Sequence, residues 1–411
     1  MSVAPLKKKN LAQILFGPDG DVAMDPIVQA LTIASGLLML GNIVVSPLLV
    51  DLAEVYNVSA VQMGLLITTY NAPTVLLVMF IGVMADRIGR KPLLVFGLFL
   101  FAISGTAIGG FSTFRATIVL RIFQGIGFAC STPIITAILG DMYDGAKEAT
   151  AQGLRTSGNN FVSIVAPVLA SVLIGISWRL PFVLFLSVLP LAIWIWEVVP
   201  SSPKEAGIPL SLYLKSMLKT LKDPQMLAVN FTVLFRFLCY FSFLTYISFI
   251  GKQNLGMSTF AVGLVIGGKS ILSFLGSTQT GRASKKLHSA ASAMIAFFLS
   301  GIGFFVIGLA PSVFSLILGS ALFGIGDGFI NPIQKSQINA LSTKEVRGSA
   351  IAFSTGVGNL GKALAPGLMA LVLSQFGIAA IFTFMGILSV ASALLNIGLW
   401  IAMRGKTKRQ S

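Results

Sequence analysis

Between residues 27 and 403 the chain alternates long apolar runs with short polar segments. About 20 helical residues are needed to cross roughly 30 Å of hydrocarbon. Runs of that size fall at 27–50, 61–84, 92–111, 117–139, 153–176, 181–199, 226–250, 260–280, 289–310, 312–338, 348–374 and 379–403. The pattern predicts twelve spanning helices and an all-α polytopic membrane protein. The first run is too long for a signal-peptide core, so it is expected to stay as the first span.

The polar segments divide this series in two. The longest of them, Pro200 to Asp223, lies near the middle of the chain, and the two sides align when the sequence is shifted by 199 residues. Gly64 then falls on Gly263, Gly125-Ile126-Gly127 on Gly324-Ile325-Gly326, Pro133 on Pro332, Asn160 on Asn359 and Pro167 on Pro366. One register kept across five helices predicts two pseudo-symmetric six-helix bundles. The expected organisation is an N-terminal tail over 1–26, a bundle over 27–199, a linker over 200–225, a second bundle over 226–403 and a tail over 404–411. Parallel repeats joined in this way are the arrangement from which transporters derive alternating access, with the site near the midplane between the halves.

Composition agrees with the membrane reading: 55% of residues are hydrophobic, 10% are charged and the mean hydropathy is +0.88. The formal charge of +15 would fit a nucleic-acid partner only if a soluble face gathered it, and no soluble domain is available. Read against topology, 20 of the 29 Lys and Arg residues lie on the side of the N-terminus, while only Arg115, Arg179 and Lys252 fall in loops on the other side. This asymmetry predicts that both termini are cytoplasmic; the expected location is the plasma (inner) membrane. Cys130 and Cys239 lie in separate apolar runs without metal-ligand spacing, and they read as buried thiols. There is no phosphate-binding GKS or GKT string, and the single histidine, His288, sits at a helix mouth. Neither ATP-driven transport nor intramembrane hydrolysis is expected. No enzyme activity, cofactor or metal is expected either.

Ionisable residues inside spans are costly and tend to be functional. Of fourteen acids, only Asp327 lies in mid-helix, about 22 Å along the tenth span. Six cations lie in spans: Arg121, Arg155, Arg236, Lys269, Lys335 and Lys362. Arg155 and Lys335 are near cytoplasmic ends and can snorkel, which leaves four deep. Asp327 has two readings. It is either a permanent ion-pair partner of Arg236, Lys269 or Lys362, or a carboxyl that titrates as the cavity opens and so couples transport to protons. The excess of deep cations over one acid makes a carboxylate- or phosphate-bearing cargo plausible. Helix seven is rich in aromatics, of which Tyr240 and Tyr246 are the cavity candidates because a phenol in lipid would leave its hydroxyl unpaired. Among neutral polar residues of the first half, Gln124 is the candidate for cargo contact, whereas Asn42, Tyr70, Asn71, Asn159 and Asn160 read as interhelical bonding.

The stretch GVMADRIGRKP, Gly82 to Pro92, resembles the signature between helices two and three of the major facilitator superfamily, with Gly82, Asp86, Arg87, Gly89, Arg90 and Lys91 in place. LRIFQGIGFA, with Arg121, Gln124 and Gly125, resembles that family's helix-four motif, and Asp141 stands where many members have an acid. The nearest subgroup is the twelve-helix drug:proton antiporter-like exporters. Helix five departs from that subgroup's glycine pattern, reading GNNFVSIVAPVLAS with Ala166 and Ala170. The resemblance implies a cavity lined by helices one, four, seven and ten, which carry Arg121, Arg236 and Asp327. It also implies a conformational latch built from Gly82, Asp86, Arg87, Gly89, Arg90 and Asp141. In the outward-open state, Asp86 is expected near the start of helix eleven and Arg87 or Arg90 against Asp141, with both contacts breaking when the inside opens. The second copy of the loop has Lys285 where Asp86 would be.

The expected function is secondary active transport of a small organic molecule by a functional monomer in the lipid bilayer, through proton-coupled efflux. Uptake or uniport of an organic anion stays open. A non-transporting receptor or lipid-handling protein is the distant alternative.

Overall fold

The computed structural model describes residues 20–201, 223–286, 289–309, 312–342 and 347–410. The described residues are almost entirely helical and contain no strand. Twelve long segments run in order: α1 Pro26–Tyr56, α2 Ala60–Ile88, α3 Arg90–Gly110, α4 Phe114–Met142, α5 Gly145–Ile176, α6 Leu180–Val198, α7 Pro224–Asn254, α8 Thr259–Lys286, α9 Ser289–Leu309, α10 Val313–Leu341, α11 Arg347–Phe376 and α12 Ile378–Gln410. Each covers one of the apolar runs to within one residue. Eleven are long and apolar enough to cross a membrane by themselves. The remaining one, α2, is a continuous 29-residue helix packed against α4 and α11. Residues 1–19 and most of the expected linker lie outside the described residues. The segment from 404 to 410 continues α12 rather than leaving it, consistent with the high helix propensity of its Lys, Arg and Gln residues and with basic charge at a helix C-terminus.

The two halves begin alike. Asp25 caps α1 by accepting from the Ile27 backbone N–H at 2.8 Å, and Pro26 occupies the first helical position. Asp223 and Pro224 repeat the device on α7, accepting from Gln225 N–H at 2.8 Å. A carboxylate at a helix N-terminus satisfies an orphan donor, and proline there loses no bond.

Glycines set the same helix approaches in both halves. A Cβ on Gly127 of α4 would lie 2.6 Å from the Gly97 carbonyl of α3, and one on Gly326 of α10 would lie 2.5 Å from the Ala296 carbonyl of α9. These contacts are related by the 199-residue shift. So are the contacts between halves: Gly64 of α2 faces Pro366 of α11, and Gly263 of α8 faces Pro167 of α5. The halves therefore meet along α2–α11 and α5–α8, related by a pseudo-two-fold axis.

These contacts fall on one side of the molecule. The face where α1 begins and α12 ends is called here the terminal face, and the opposite one the far face. Gly64 and Gly263 lie in the first turns of helices that start at the far face. There the ends of α1 and α7 also join: the Ser248 hydroxyl donates to the Ser46 carbonyl at 2.6 Å, and Ser46 donates to the Leu244 carbonyl. Asp51 pairs with Lys252 at 2.7 Å and accepts from Thr259 at 2.9 Å. The far face is closed.

Candidate functional site: a cationic cavity between the halves

A central cavity of about 230 Å³ lies between α5 of the first half and α7, α8 and α10 of the second. A chamber of about 400 Å³ adjoins it toward the terminal face, reaching Glu148, Asn339 and Thr355. Both spaces share Arg155, Thr156, Arg236, Asn331 and Lys335 in their walls.

At the inner end sits Asp327, 3% exposed. Its carboxylate accepts from Arg236 Nε at 2.9 Å, Lys269 Nζ at 2.7 Å and Ser273 Oγ at 3.3 Å. Glycine makes the cluster possible. A Cβ at Gly324 would lie 2.6 Å from the Lys269 carbonyl, and one at Gly328 would collide with the Ser273 carbonyl. The α10 backbone thus presses on α8 a turn before Asp327 and immediately after it, bringing both α8 donors to the acid. Lys269 also sits over the rings of Tyr240 and Phe323, at 4.3 and 4.6 Å. Burying these charges is tolerable because they are paired and cushioned by aromatic faces.

Arg236, Tyr240 and Lys269 thus meet Asp327 at the cavity wall. Lys362 lies in the wall of the outer chamber, its ammonium over Phe237 at 5.0 Å and Phe241 at 5.9 Å, with no ion-pair partner among the described residues. Three other expected cavity residues are elsewhere. Arg121 is fully buried inside the first half, where it donates to the carbonyls of Leu66 at 3.0 Å and Gly41 at 2.6 Å and to Gln124 Oε1 at 2.7 Å. Its guanidinium stacks on Tyr70 at 4.6 Å. The reason is local: α1 is interrupted between Ile43 and Ser46, ahead of Pro47, and Arg121 reaches a carbonyl just before that break. Arg121 and Gln124 knit α4 to α1 and α2 and do not line the cavity. Tyr246 is buried in the far-face seam, its hydroxyl donating to the Pro366 carbonyl at 2.9 Å.

Arg155 and Lys335, expected to snorkel at helix ends, instead face the cavity. A periodic signal marks them. Asp327, Asn331 and Lys335 recur every fourth residue on α10, as do Arg155, Asn159 and Ser163 on α5 and Lys269, Ser273 and Ser277 on α8. Polar residues at that spacing share one helix face.

In the expected latch, Gly89 joins α2 to α3 with φ +102°, a conformation that favours glycine. Arg90 pairs with Asp141 at the end of α4. Arg87 is exposed in the last turn of α2, and a Cβ at Gly82 would meet nothing within 4 Å. The Asp86 side chain and its expected neighbours at the start of α11 lie outside the described residues. The Arg90–Asp141 pair is present together with the terminal-face chamber. Both residues belong to the first half, so separation of the halves does not pull on them.

Two packed six-helix halves, joined at one face and enclosing a charged cavity that reaches toward the other, define a polytopic membrane protein built on an internal repeat. The family model described as Major Facilitator Superfamily matches residues 31–290 and 237–411, and the chain belongs to that superfamily. The Bacillibactin exporter of Bacillus subtilis is 28% identical over 153 residues, covering 36% of this chain and 38% of that protein. A Multidrug resistance protein MdtL of Shewanella oneidensis is 31% identical over 29% of this chain and 30% of that one. Both matches span well under half of those relatives. The multi-drug resistance efflux pump PmrA of Streptococcus pneumoniae is 25% identical over 77% of this chain and 80% of its own length. Among solved structures, an inward-facing bacterial homolog of the human lysosomal transporter Spinster superposes with a TM-score of 0.73 at 16% identity, over 91% of this chain and 94% of that one. The nucleoside transporter NupG gives 0.76 at 14%, over 91% and 99%. These likenesses establish the fold.

Proposed function

We propose that the chain is a secondary active transporter of the plasma membrane that exports a small organic molecule by alternating access, with proton coupling through Asp327. The observation that carries this reading is the combination of a sealed far-face seam with an internal acid at the inner end of a chamber facing the other side. Closing α4–α5 against α10–α11 at the terminal face while the Gly64–Pro366 and Gly263–Pro167 contacts part would present the same cavity to the far side. Asp327 suits coupling because it holds two cations from different helices at once: protonating it would release Arg236 and Lys269 together and change how α7, α8 and α10 pack. The exporter and efflux-pump names of the relatives support the outward direction. With the termini in the cytoplasm, the open chamber faces the cytoplasmic pool. The test is flux in proteoliposomes across a compound library, with and without a pH gradient, for wild type and Asp327→Asn. Accumulation that follows the gradient in wild type and ignores it in the variant is expected; gradient-independent accumulation by wild type would end the proton-coupling reading.

A second reading, uptake or uniport of an organic anion, is favoured by the charge of the cavity walls, which carry five cationic side chains against the acids Asp327 and Glu148.

A further inference from the structure

We propose that the cavity is a binding site for a small, multiply charged organic anion, whose carboxylate or phosphate groups are held by Arg155, Lys335 and Lys362 while its apolar part lies against Phe237. The inference deepens the second reading above and shares with the first only the alternating-access transporter. The charges do not balance internally. Asp327 is engaged by Arg236 and Lys269, and Glu148 stands at the mouth, so the described walls carry three more positive charges than negative ones.

None of the three cations assigned to the anion has an acid partner among the described residues. Arg155 donates to Gln152 Oε1 at 2.9 Å and weakly to Ser35 Oγ at 3.4 Å, both neutral. Lys362 rests on the faces of Phe237 and Phe241. Lys335 is the most open of the three and shares both walls with Arg155 and Arg236. Like charges gathered from α5, α10 and α11 in a partly enclosed space raise the free energy of the empty site, and an anion reverses that sign. More than one negative charge is needed to match the excess. Arg155 supplies a planar fork and the two lysines supply point charges, a set that fits carboxylate and phosphate equally. The chamber is also apolar in part, through Val233, Phe237, Ile338 and Ile351, and its size falls in the range that holds small organic ligands. The cationic groups come from both halves, so bound anion would draw α5 toward α10 and α11 and favour closure of the terminal face.

The test uses the purified full-length protein in nanodiscs. Thermal stabilisation is measured with citrate, glucose 6-phosphate and the organic cation tetraphenylphosphonium, followed by counterflow in proteoliposomes with the same compounds. Stabilisation by citrate or glucose 6-phosphate, weakening at high salt and at least tenfold weaker in both Lys335→Gln and Lys362→Gln, is expected. Lys362→Arg keeps the charge and should recover most of the loss, which separates a charge effect from misfolding. Citrate alone responding identifies a carboxylate site, and glucose 6-phosphate alone a phosphate site. Stabilisation by tetraphenylphosphonium with neither anion active overturns the proposal, as does anion binding indifferent to both lysine variants. Lysine-dependent anion binding with no counterflow keeps the anion site and removes the transporter reading. Cation counterflow without anion binding does the reverse.

Discussion

The two halves place the same helix contacts around opposite chemistry. Under the 199-residue shift, Gly125 pressed on the Tyr70 carbonyl corresponds to Gly324 pressed on the Lys269 carbonyl. Tyr70 and Phe128 of the first half thus occupy the places of Lys269 and Asp327, and Arg121 the place of Ser320. In the first half a deep cation is held by backbone carbonyls, an amide and a ring, away from the cavity. In the second, an acid bridges two cations at the cavity wall. Packing set by glycine survives the divergence of the halves because it depends on backbone approach. Charge does not: the deep cation of the first half bonds within its own bundle, and the acid of the second lies at the cavity wall.

The strongest challenge to this contrast is Asp327→Asn, which strands two buried cations. Breaking such a pair costs about 3–5 kcal/mol, so a large drop in melting temperature is expected together with loss of coupled flux. Asp327→Asn combined with Lys269→Met should regain much of the stability without regaining the coupling. Next, Arg121→Ala should cost about 3 kcal/mol through lost charge-assisted bonds, while the folded fraction keeps its cargo affinity in equilibrium binding. A tenfold weaker affinity there would place Arg121 in the site and end the contrast.

A smaller effect is expected at the seam that both halves share. A Cβ at Gly263 would lie 2.5 Å from Ser171 Oγ and 2.8 Å from the Pro167 carbonyl. Gly263→Val should therefore disfavour far-face closure by about 1–3 kcal/mol, read as a longer spin-label distance across that face. The repeat-related Gly64→Val should act in the same direction, and an opposite shift would refute the pseudo-symmetric seam. Smaller again is Asp51→Asn. Its pair with Lys252 is partly solvated, at 23% and 19% side-chain exposure, so the same distance distribution should move by no more than about 1 kcal/mol. The smallest effect belongs to Asp141→Asn. The Asp141 carboxylate is half open to solvent and its pair with Arg90 is internal to one half, so the far-face distances should stay unchanged.

Hydropathy and the positions of glycine and proline made the twelve helices, the duplication and the isolation of Asp327 legible without coordinates. The site was only half legible. Arg236, Tyr240, Lys269 and Lys362 reach the cavity walls, but Arg121, Gln124 and Tyr246 turn inward to carbonyls or to the seam. Arg155 and Lys335 were read as snorkelling because depth was counted along the helix without its rotation. The i, i+4 polar stripes on α5, α8 and α10 contained that rotation.

What the sequence determined by itself is local and one-dimensional: span lengths follow from the hydrocarbon thickness, and the repeat from a constant register. Which cations Asp327 holds, which polar residues line a cavity with Lys335, and at which face the halves join were decided only by tertiary structure. Each helix turns by about 100° per residue, so a residue's neighbours depend on how separate helices are rotated against one another. Those rotations are fixed by close contacts between residues as distant in sequence as Gly64 and Pro366.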